Sequence, residues 1–152
     1  MRKPATIKEL AAAGVFTAII AVFSQISFPL PSGVPVTLQT FAVALCGYTL
    51  GRKLGGLSVA AYIALGAVGA PVFSGFRGGL GVLFGITGGF IFGFAALVLL
   101  SAFSDIFKGH PAKLALGLAG IVLQHFTGVA QFSIITKSGF LASASAVSLP
   151  FL

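Results

Sequence analysis

The sequence predicts an all-α integral membrane protein, a single domain over residues 1–152 whose helices cross the bilayer several times. Composition is the first reason: 57% of the residues are hydrophobic and 7% are charged, whereas soluble domains carry about 25% charged residues. The second reason is that the mean hydropathy is +1.11 and the apolar residues form long runs. Such a chain cannot cover a water-facing surface, so its expected surroundings are the lipid bilayer.

The first apolar run, residues 10–28, is long enough to cross a membrane, which takes about 20 residues. Small side chains recur along it at steps of three and four residues, which places them on one helical face. These residues are Ala11, Gly14, Ala18 and Ala21. A smooth face lets another helix approach closely. The pattern fits packing within the bundle or docking of a partner protein, and taken alone it favours packing.

Residues 29–37 contain three prolines and a glycine, which predicts a loop. Two apolar runs follow. Extended into their flanks they cover residues 34–50 and 54–70, and a short charged turn at residues 51–56 joins them. Both runs are short for a perpendicular span, so we expect them in a locally thin or protein-surrounded part of the bilayer.

A glycine-rich loop is predicted at residues 71–81, and the fourth span at residues 82–103. This span contains Gly88 and Gly89. Because glycine lacks a Cβ, the pair either thins the helix for close packing or delays its start.

The fifth span is predicted at residues 114–135, after a polar stretch at 104–113 and before a serine-rich connection at 136–148. Its polar side chains are Gln124, His125, Thr127 and Gln131. We interpret His125 as a hydrogen-bonding group to a neighbouring helix rather than as a proton relay.

The charges predict a cytoplasmic N-terminus. With that orientation, seven of the nine basic residues fall on the inner side, as the positive-inside rule requires. The seven are Arg2, Lys3, Lys8, Arg52, Lys53, Lys108 and Lys113. Only Arg77 and Lys137 remain on the outer side, so the positive-inside rule does not explain why an arginine is present at position 77. Its guanidinium either snorkels to outer head groups or binds the carboxylate or another polar group of a small ligand.

The loops at residues 29–37 and 71–81 both fall on the outer side. Irregular backbone at a membrane is tolerated where protein buries it or where it lines a cavity, so the two loops are consistent with a lid and a pocket. Gln39 could bind an amide or ureido group there, since its side chain both donates and accepts. Aromatic residues that could wall an apolar ligand, or could instead contact lipid and core, are Tyr62, Phe73 and Phe76.

Several classes of function lack the residues they need. Glu9 and Asp105 are the only acids, so no intramembrane carboxylate pair exists for acid–base catalysis. Cys46 is the only cysteine, which excludes a Cys/His metal site and a disulfide and leaves it as a packing residue. No phosphate-binding loop is present, so ATP can be used only by partner subunits. The scattered basic residues form no nucleic-acid face. We therefore expect no enzyme, no metal and no cofactor.

The sequence PVTLQT at residues 35–40, the turn at 51–57, GAPVF at 69–73, GGLG at 78–81 and GITGGF at 85–90 together resemble the BioY family. Members of this family are biotin-binding S components of energy-coupling-factor vitamin transporters. The resemblance runs from about residue 12 to about residue 94 and more loosely through residue 152. PVTLQ combined with GGLG and TGG at this spacing is specific, although each alone is weak.

The resemblance implies biotin uptake across the cell membrane by a bundle of six helices with an outward-facing pocket. It also implies partners, namely a transmembrane T component and two ATPases. The small residues at 11, 14, 18 and 21 correspond to the first-helix face that meets the T component. In the pocket, Arg77 would bind the biotin carboxylate and Gln39 and Thr87 would be polar contacts. The apolar body of biotin would lie against Tyr62, Phe73 and Phe76.

One departure concerns the end of the sequence. Family members usually continue into a sixth helix that bears an acidic residue and a lysine near the ligand, whereas this sequence stops at Leu152. We therefore expect five of the six helices and interpret the chain as truncated. Two alternatives remain: an S component for another small vitamin, and a structural or assembly membrane protein without a ligand.

Overall fold

The structure, a computed structural model, describes residues 5–103 and 110–148. These residues are mostly helical. In chain order the elements are α1 (Ile7–Gln25), β1 (Ser27–Phe28), β2 (Val36–Thr37), α2 (Gln39–Ala67), α3 (Leu80–Leu83), α4 (Gly88–Ala102), α5 (His110–Thr136) and α6 (Phe140–Val147). Residues 104–109, which include Asp105 and make up most of the predicted polar stretch, lie outside the described residues.

Helix α1 begins at a capping box. The backbone N–H of Glu9 donates to Thr6 Oγ1 (3.3 Å), and the backbone N–H of Thr6 donates to Glu9 Oε2 (2.7 Å). These bonds satisfy amides that a helix start leaves without intrahelical partners, so the helix starts at Ile7 rather than at residue 10.

The first correction to the predicted all-α fold is a small antiparallel sheet. Strand β1 pairs with β2 in the register Ser27↔Thr37 and Phe28↔Val36. The predicted first span therefore ends early, at Gln25, and the second helix begins at Gln39 rather than at residue 34. The sheet joins the two ends of the proline-rich loop and brings β2 beside the end of α1.

Helix α2 consists of two helical segments that meet at Gly51, whose φ of 70° and ψ of −175° are not helical. A positive φ is readily adopted by glycine and costs other residues steric strain. The prediction of two apolar runs separated near residue 51 is confirmed. The predicted turn is shorter than expected, because residues 52–56 are already helical. Beside the break, the Arg52 guanidinium lies 4.7 Å from the ring centre of Phe103.

The predicted fourth span is interrupted, because α3 ends at Leu83 and α4 starts at Gly88. Gly89 also lies against α5: a Cβ there would collide with the Thr127 carbonyl and stand 2.8 Å from Gln131 Cβ. Both alternatives raised by the glycine pair therefore hold. The helix starts late, and its first turn packs closely on its neighbour.

Helix α5 begins at His110, so the last residues of the predicted polar stretch are helical. The serine-rich connection predicted at residues 136–148 contains α6. Its turn is bonded by serines: Ser133 Oγ donates to the Ser138 carbonyl (2.7 Å), and the hydroxyls of Ser138 and Ser143 are 2.7 Å apart.

Helix α4 lies between α2 and α5, and α1 packs on α2. The main core among the described residues comes from α1, α2, the loop after α2, α3 and α4. Its fully buried members include Ile20, Ala42, Val43, Cys46, Tyr62, Leu97 and Phe73. Cys46 is thus a packing residue, as predicted. Large apolar side chains such as Val15, Phe126 and Leu141 lie on the outside, as expected of a surface that faces lipid.

Within the described residues, two helices are long and apolar enough to cross a membrane by length and composition: α1 and α5. Helix α4 is apolar but has 15 residues, and α2 is divided at Gly51. The predicted number of five spanning helices is therefore not confirmed, whereas the mostly helical architecture is.

Candidate ligand-binding site

A cavity lies where β2, the start of α2, the loop at residues 71–79, α4 and α5 meet. Its interior holds about 50 Å³ of free space and opens to the outside. We call it the inner cavity. Its lining residues are Val34, Pro35, Thr37, Gln39, Thr40, Phe73, Ser74, Arg77, Val82, Thr87, Phe90, Ile91, Phe94 and Gln124.

Gln39 lines the inner cavity at the first turn of α2 and is buried. Its Nε2 donates to the Tyr62 hydroxyl (2.7 Å), which in turn donates to the Val72 carbonyl (3.0 Å). Tyr62 itself is fully buried and is not on the cavity wall. The structure therefore places Tyr62 behind the predicted site, where it orients Gln39 and anchors the loop.

Phe73 is 1% exposed and lines the inner cavity, and its ring lies edge-on to Tyr62 at 5.5 Å between centroids. Its backbone pairs with that of Arg77 in both directions, at 2.9 and 3.2 Å. The chain reverses between them through Gly75, which has a φ of 71°. This reversal holds Arg77 beside Phe73 at the edge of the cavity.

Arg77 is exposed, and its Nε donates to the Ser74 carbonyl (3.0 Å). It also lines a second, more open cavity, which we call the outer cavity, together with Ser27, Pro29, Leu30, Gly33, Pro35, Ser74 and Gly75. Pro35, Ser74 and Arg77 line both cavities. The guanidinium thus lies where the two cavities adjoin, and no carboxylate among the described residues pairs with it.

Thr87 and Phe76, both predicted contacts, differ in placement. Thr87 precedes the first turn of α4 and lines the inner cavity. Phe76 is 73% exposed and lines neither cavity. Its φ of 55° is unusual for a residue with a side chain. The structure therefore does not bring Phe76 to the predicted site.

The loop is held by side chains that sequence reasoning did not assign to the site. Gln25, the last residue of α1, donates from Nε2 to the Phe73 carbonyl (3.2 Å) and accepts from the Phe76 backbone N–H at Oε1 (2.9 Å). Ser24 Oγ donates to the Val72 carbonyl (2.6 Å). The sequence contained a signal in that Ser24 and Gln25 are adjacent polar residues at the end of an apolar span.

Helix α5 contributes more side chains to the site and its surroundings than the sequence predicted. Gln124 is 2% exposed, lines the inner cavity, and donates from Nε2 to Thr40 Oγ1 (3.3 Å). Gln131 donates to the carbonyls of Leu83 and Gly85 at 2.9 and 2.8 Å, which fixes the end of α3.

His125 does not line either cavity. Its Nδ1 lies 3.0 Å from the Ile121 carbonyl of the same helix, and its ring lies edge-on to Phe90 of α4. No group of histidine, cysteine, aspartate and glutamate side chains that could hold a metal ion is present in the described part of the chain.

The predicted docking face of α1 is largely uncovered. Ala11, Gly14 and Ala18 are exposed, and a Cβ on Gly14 would have no atom within 4 Å. Ala21 differs, because it is half-buried against the core. In the described chain, no other element packs on the first three.

A family model described as the BioY family matches residues 1–152. This chain belongs to the BioY family. The biotin transporter BioY of Thermotoga maritima is 46% identical over 123 residues, which are 80% of this chain and 72% of that protein. The biotin transporter BioY of Rhodobacter capsulatus is 35% identical over 153 residues, covering 91% of this chain and 80% of that protein.

The fold of this BioY chain is similar to that in the crystal structure of the S-component for biotin from an ECF-type ABC transporter. The TM-score is 0.82 at 28% sequence identity, with 90% of this chain and 77% of the other covered. The family resemblance stated from the motifs is therefore confirmed, and so is the expected S-component fold.

Proposed function

We propose that this chain is the biotin-binding S component of an energy-coupling-factor transporter and that it captures biotin from outside the cell for uptake. The observation that carries the proposal is the inner cavity, which has an apolar wall, buried amide side chains and a guanidinium at its mouth. Two further findings support the proposal: the relatives are named biotin transporters, and the fold is similar to that of an S-component for biotin.

The chemistry of biotin matches the lining group by group. Its carboxylate pairs with Arg77, because a charge-assisted hydrogen bond is stronger than a neutral one. Its hydrocarbon chain and sulfur ring contact the apolar wall that includes Phe73, Phe90 and Phe94. Gln39 and Thr87 supply polar contacts. Tyr62 acts from behind the wall through its bond to Gln39.

In the cell membrane, five segments cross the bilayer: α1, the two parts of α2, α4 and α5. The N-terminus is cytoplasmic, which puts the Gly51 break with Arg52 and Lys53 on the inner side and the cavities on the outer side. The positive-inside distribution of basic residues supports this orientation.

Energy for uptake comes from a T component and two ATPases, since the sequence has no phosphate-binding loop of its own. The exposed small residues Ala11, Gly14 and Ala18 form the docking face for the T component. A tryptophan in place of Gly14 would keep the helices apart. We expect Gly14→Trp to leave biotin binding unchanged and to abolish ATP-dependent biotin uptake in cells, and normal uptake by this variant would contradict the docking role.

Thermal unfolding of the purified chain with a panel of vitamins tests the ligand. Biotin at 100 times its dissociation constant should add roughly 2.7 kcal/mol of stability. Lipoate is a useful comparison, because it has a similar carboxylate chain and sulfur ring but no ureido group, and it should stabilise less. Stabilisation by another vitamin would indicate an S component for that vitamin, and stabilisation by none would favour a structural membrane protein.

A further inference from the structure

Gln124 carries a buried acceptor that the protein leaves unused. The side chain lines the inner cavity and is 2% exposed, and its Nε2 donates to Thr40 Oγ1. Its Oε1 is buried and has no hydrogen-bond partner among the described residues. Buried polar atoms in folded proteins are nearly always paired, so this oxygen, on a residue that lines the cavity, is a candidate acceptor for a ligand that displaces the neighbouring side chains.

The position of this amide is fixed by the packing of α4 on α5. Gly93 of α4 lies directly against it: a Cβ on Gly93 would stand 2.7 Å from Gln124 Cα and 3.0 Å from Gln124 Cγ. Thr40 occupies the nitrogen end of the amide. The oxygen is therefore the end left for a ligand.

Gln131 provides an internal comparison on the same helix. Its Nε2 donates to two backbone carbonyls, of Leu83 and Gly85, and it does not line the inner cavity. The two bonds of Gln131 give this half-buried glutamine a structural role. Gln124 has a single 3.3 Å bond to a hydroxyl, which does not account for an unpaired oxygen.

We propose that Oε1 of Gln124 accepts a hydrogen bond from a ureido N–H of the bound ligand and so selects for ligands that bring a donor to this end of the cavity. The inference rests on the proposed function, biotin binding. Since Arg77 is exposed at the mouth and Gln124 is buried, the carboxylate of biotin stays at the mouth and the ureido ring enters first.

The same geometry should disfavour ligands that bring no hydrogen-bond donor to this end of the cavity. A ligand without a donor leaves Oε1 unpaired and so forms no hydrogen bond at this end of the cavity. A ligand carboxylate at this end would face the amide oxygen. Sites built to hydrogen-bond a substrate N–H discriminate strongly against analogues that lack it, because the buried polar group is left unpaired.

The test measures dissociation constants of biotin and of biotin methyl ester for the wild-type chain, Gln124→Met, Gln124→Glu and Gln131→Met. Methionine is similar in size but has no acceptor oxygen, so Gln124→Met should bind both probes about tenfold more weakly, or about 1.4 kcal/mol. Gln124→Glu keeps an oxygen at this place and should retain most of the affinity. Gln131→Met should change either affinity less than threefold, or about 0.65 kcal/mol.

Three results would overturn the inference while leaving biotin binding in place. Gln124→Met could bind biotin as tightly as wild type, it could weaken biotin but not the ester, or Gln124→Glu could be as weak as Gln124→Met. No biotin binding by wild type would instead overturn the proposed function and this inference with it. Because Gln124→Met could also fail to fold, solid-state NMR of wild-type protein with ¹⁵N-labelled biotin is the second measurement. It should detect the ureido nitrogen at hydrogen-bond distance from the Gln124 side-chain carbonyl, and absence of that contact contradicts the proposal.

Discussion

The loop at residues 71–79 and the interface between α4 and α5 are both rich in glycine, yet they are held in different ways. At the interface, Gly89 and Gly93 leave no room for a Cβ, so the backbone of one helix meets the other directly. In the loop, Gly78 packs as closely on the Ala70 carbonyl, but side chains from other elements also bind the backbone: Ser24, Gln25 and Tyr62.

This difference separates a rigid wall from an adjustable one. Close backbone packing cannot yield without moving a whole helix. A few hydrogen bonds, each with a net contribution of about 1 kcal/mol, can break and re-form. The α4–α5 side of the inner cavity should therefore keep its shape, and we expect the exposed tip of the loop, which carries Arg77, to be the part that opens for the ligand.

The largest loss of stability should come from a side chain that fills the interface between α4 and α5. In Gly89→Ala the new methyl group would collide with the Thr127 carbonyl and lie 3.0 Å from Gly128 Cα, so backbone has to move. Overpacking of this kind costs about 1–3 kcal/mol, and we expect a clear fall in the melting temperature in detergent. Gly14→Ala is the matched control, because nothing lies within 4 Å of a Cβ there. If both variants melted alike, close packing at Gly89 would not be what holds α4 on α5.

A smaller loss of stability should come from removing hydrogen bonds that hold the loop at residues 71–79. Gln25→Leu removes a donor to the Phe73 carbonyl and the acceptor of the Phe76 N–H. The loop should open more often, so we expect faster hydrogen exchange at Phe76 and a biotin affinity about threefold to tenfold lower, or about 0.7–1.4 kcal/mol. The melting temperature should fall less than in Gly89→Ala.

Phe76→Ala is the control for this loop, because its side chain is exposed and lines neither cavity. It should change biotin affinity less than twofold, or about 0.4 kcal/mol. If Gln25→Leu left both exchange and affinity unchanged, or if Phe76→Ala weakened binding as much, the loop would not be held as described.

The sequence allowed the helical class and the break near Gly51 to be predicted, because composition and glycine placement act locally. It also allowed Arg77, Gln39, Phe73 and Thr87 to be chosen, all of which line the inner cavity. It did not reveal the β1–β2 pairing, since Ser27 and Thr37 come together only when the loop between them closes.

Other differences have a geometric cause. Phe76 points away because its backbone is left-handed, which residue type does not predict. Gln124 was recognised as polar but not as part of the site, because the face of α5 that meets the cavity is set by packing on α4. The sequence does not distinguish an aromatic residue in the cavity wall from one directly behind it. Tyr62 was therefore assigned to the wall, whereas it lies behind it.

The most direct test of the account compares biotin with biotin methyl ester on wild type and Arg77→Gln, since esterification removes only the charge that Arg77 is proposed to bind. Wild type should prefer biotin at least tenfold, or about 1.4 kcal/mol, and Arg77→Gln should lose that much affinity for biotin and bind both probes equally. If Arg77→Gln kept the wild-type preference for the free acid, the guanidinium at the cavity mouth would not be the carboxylate partner.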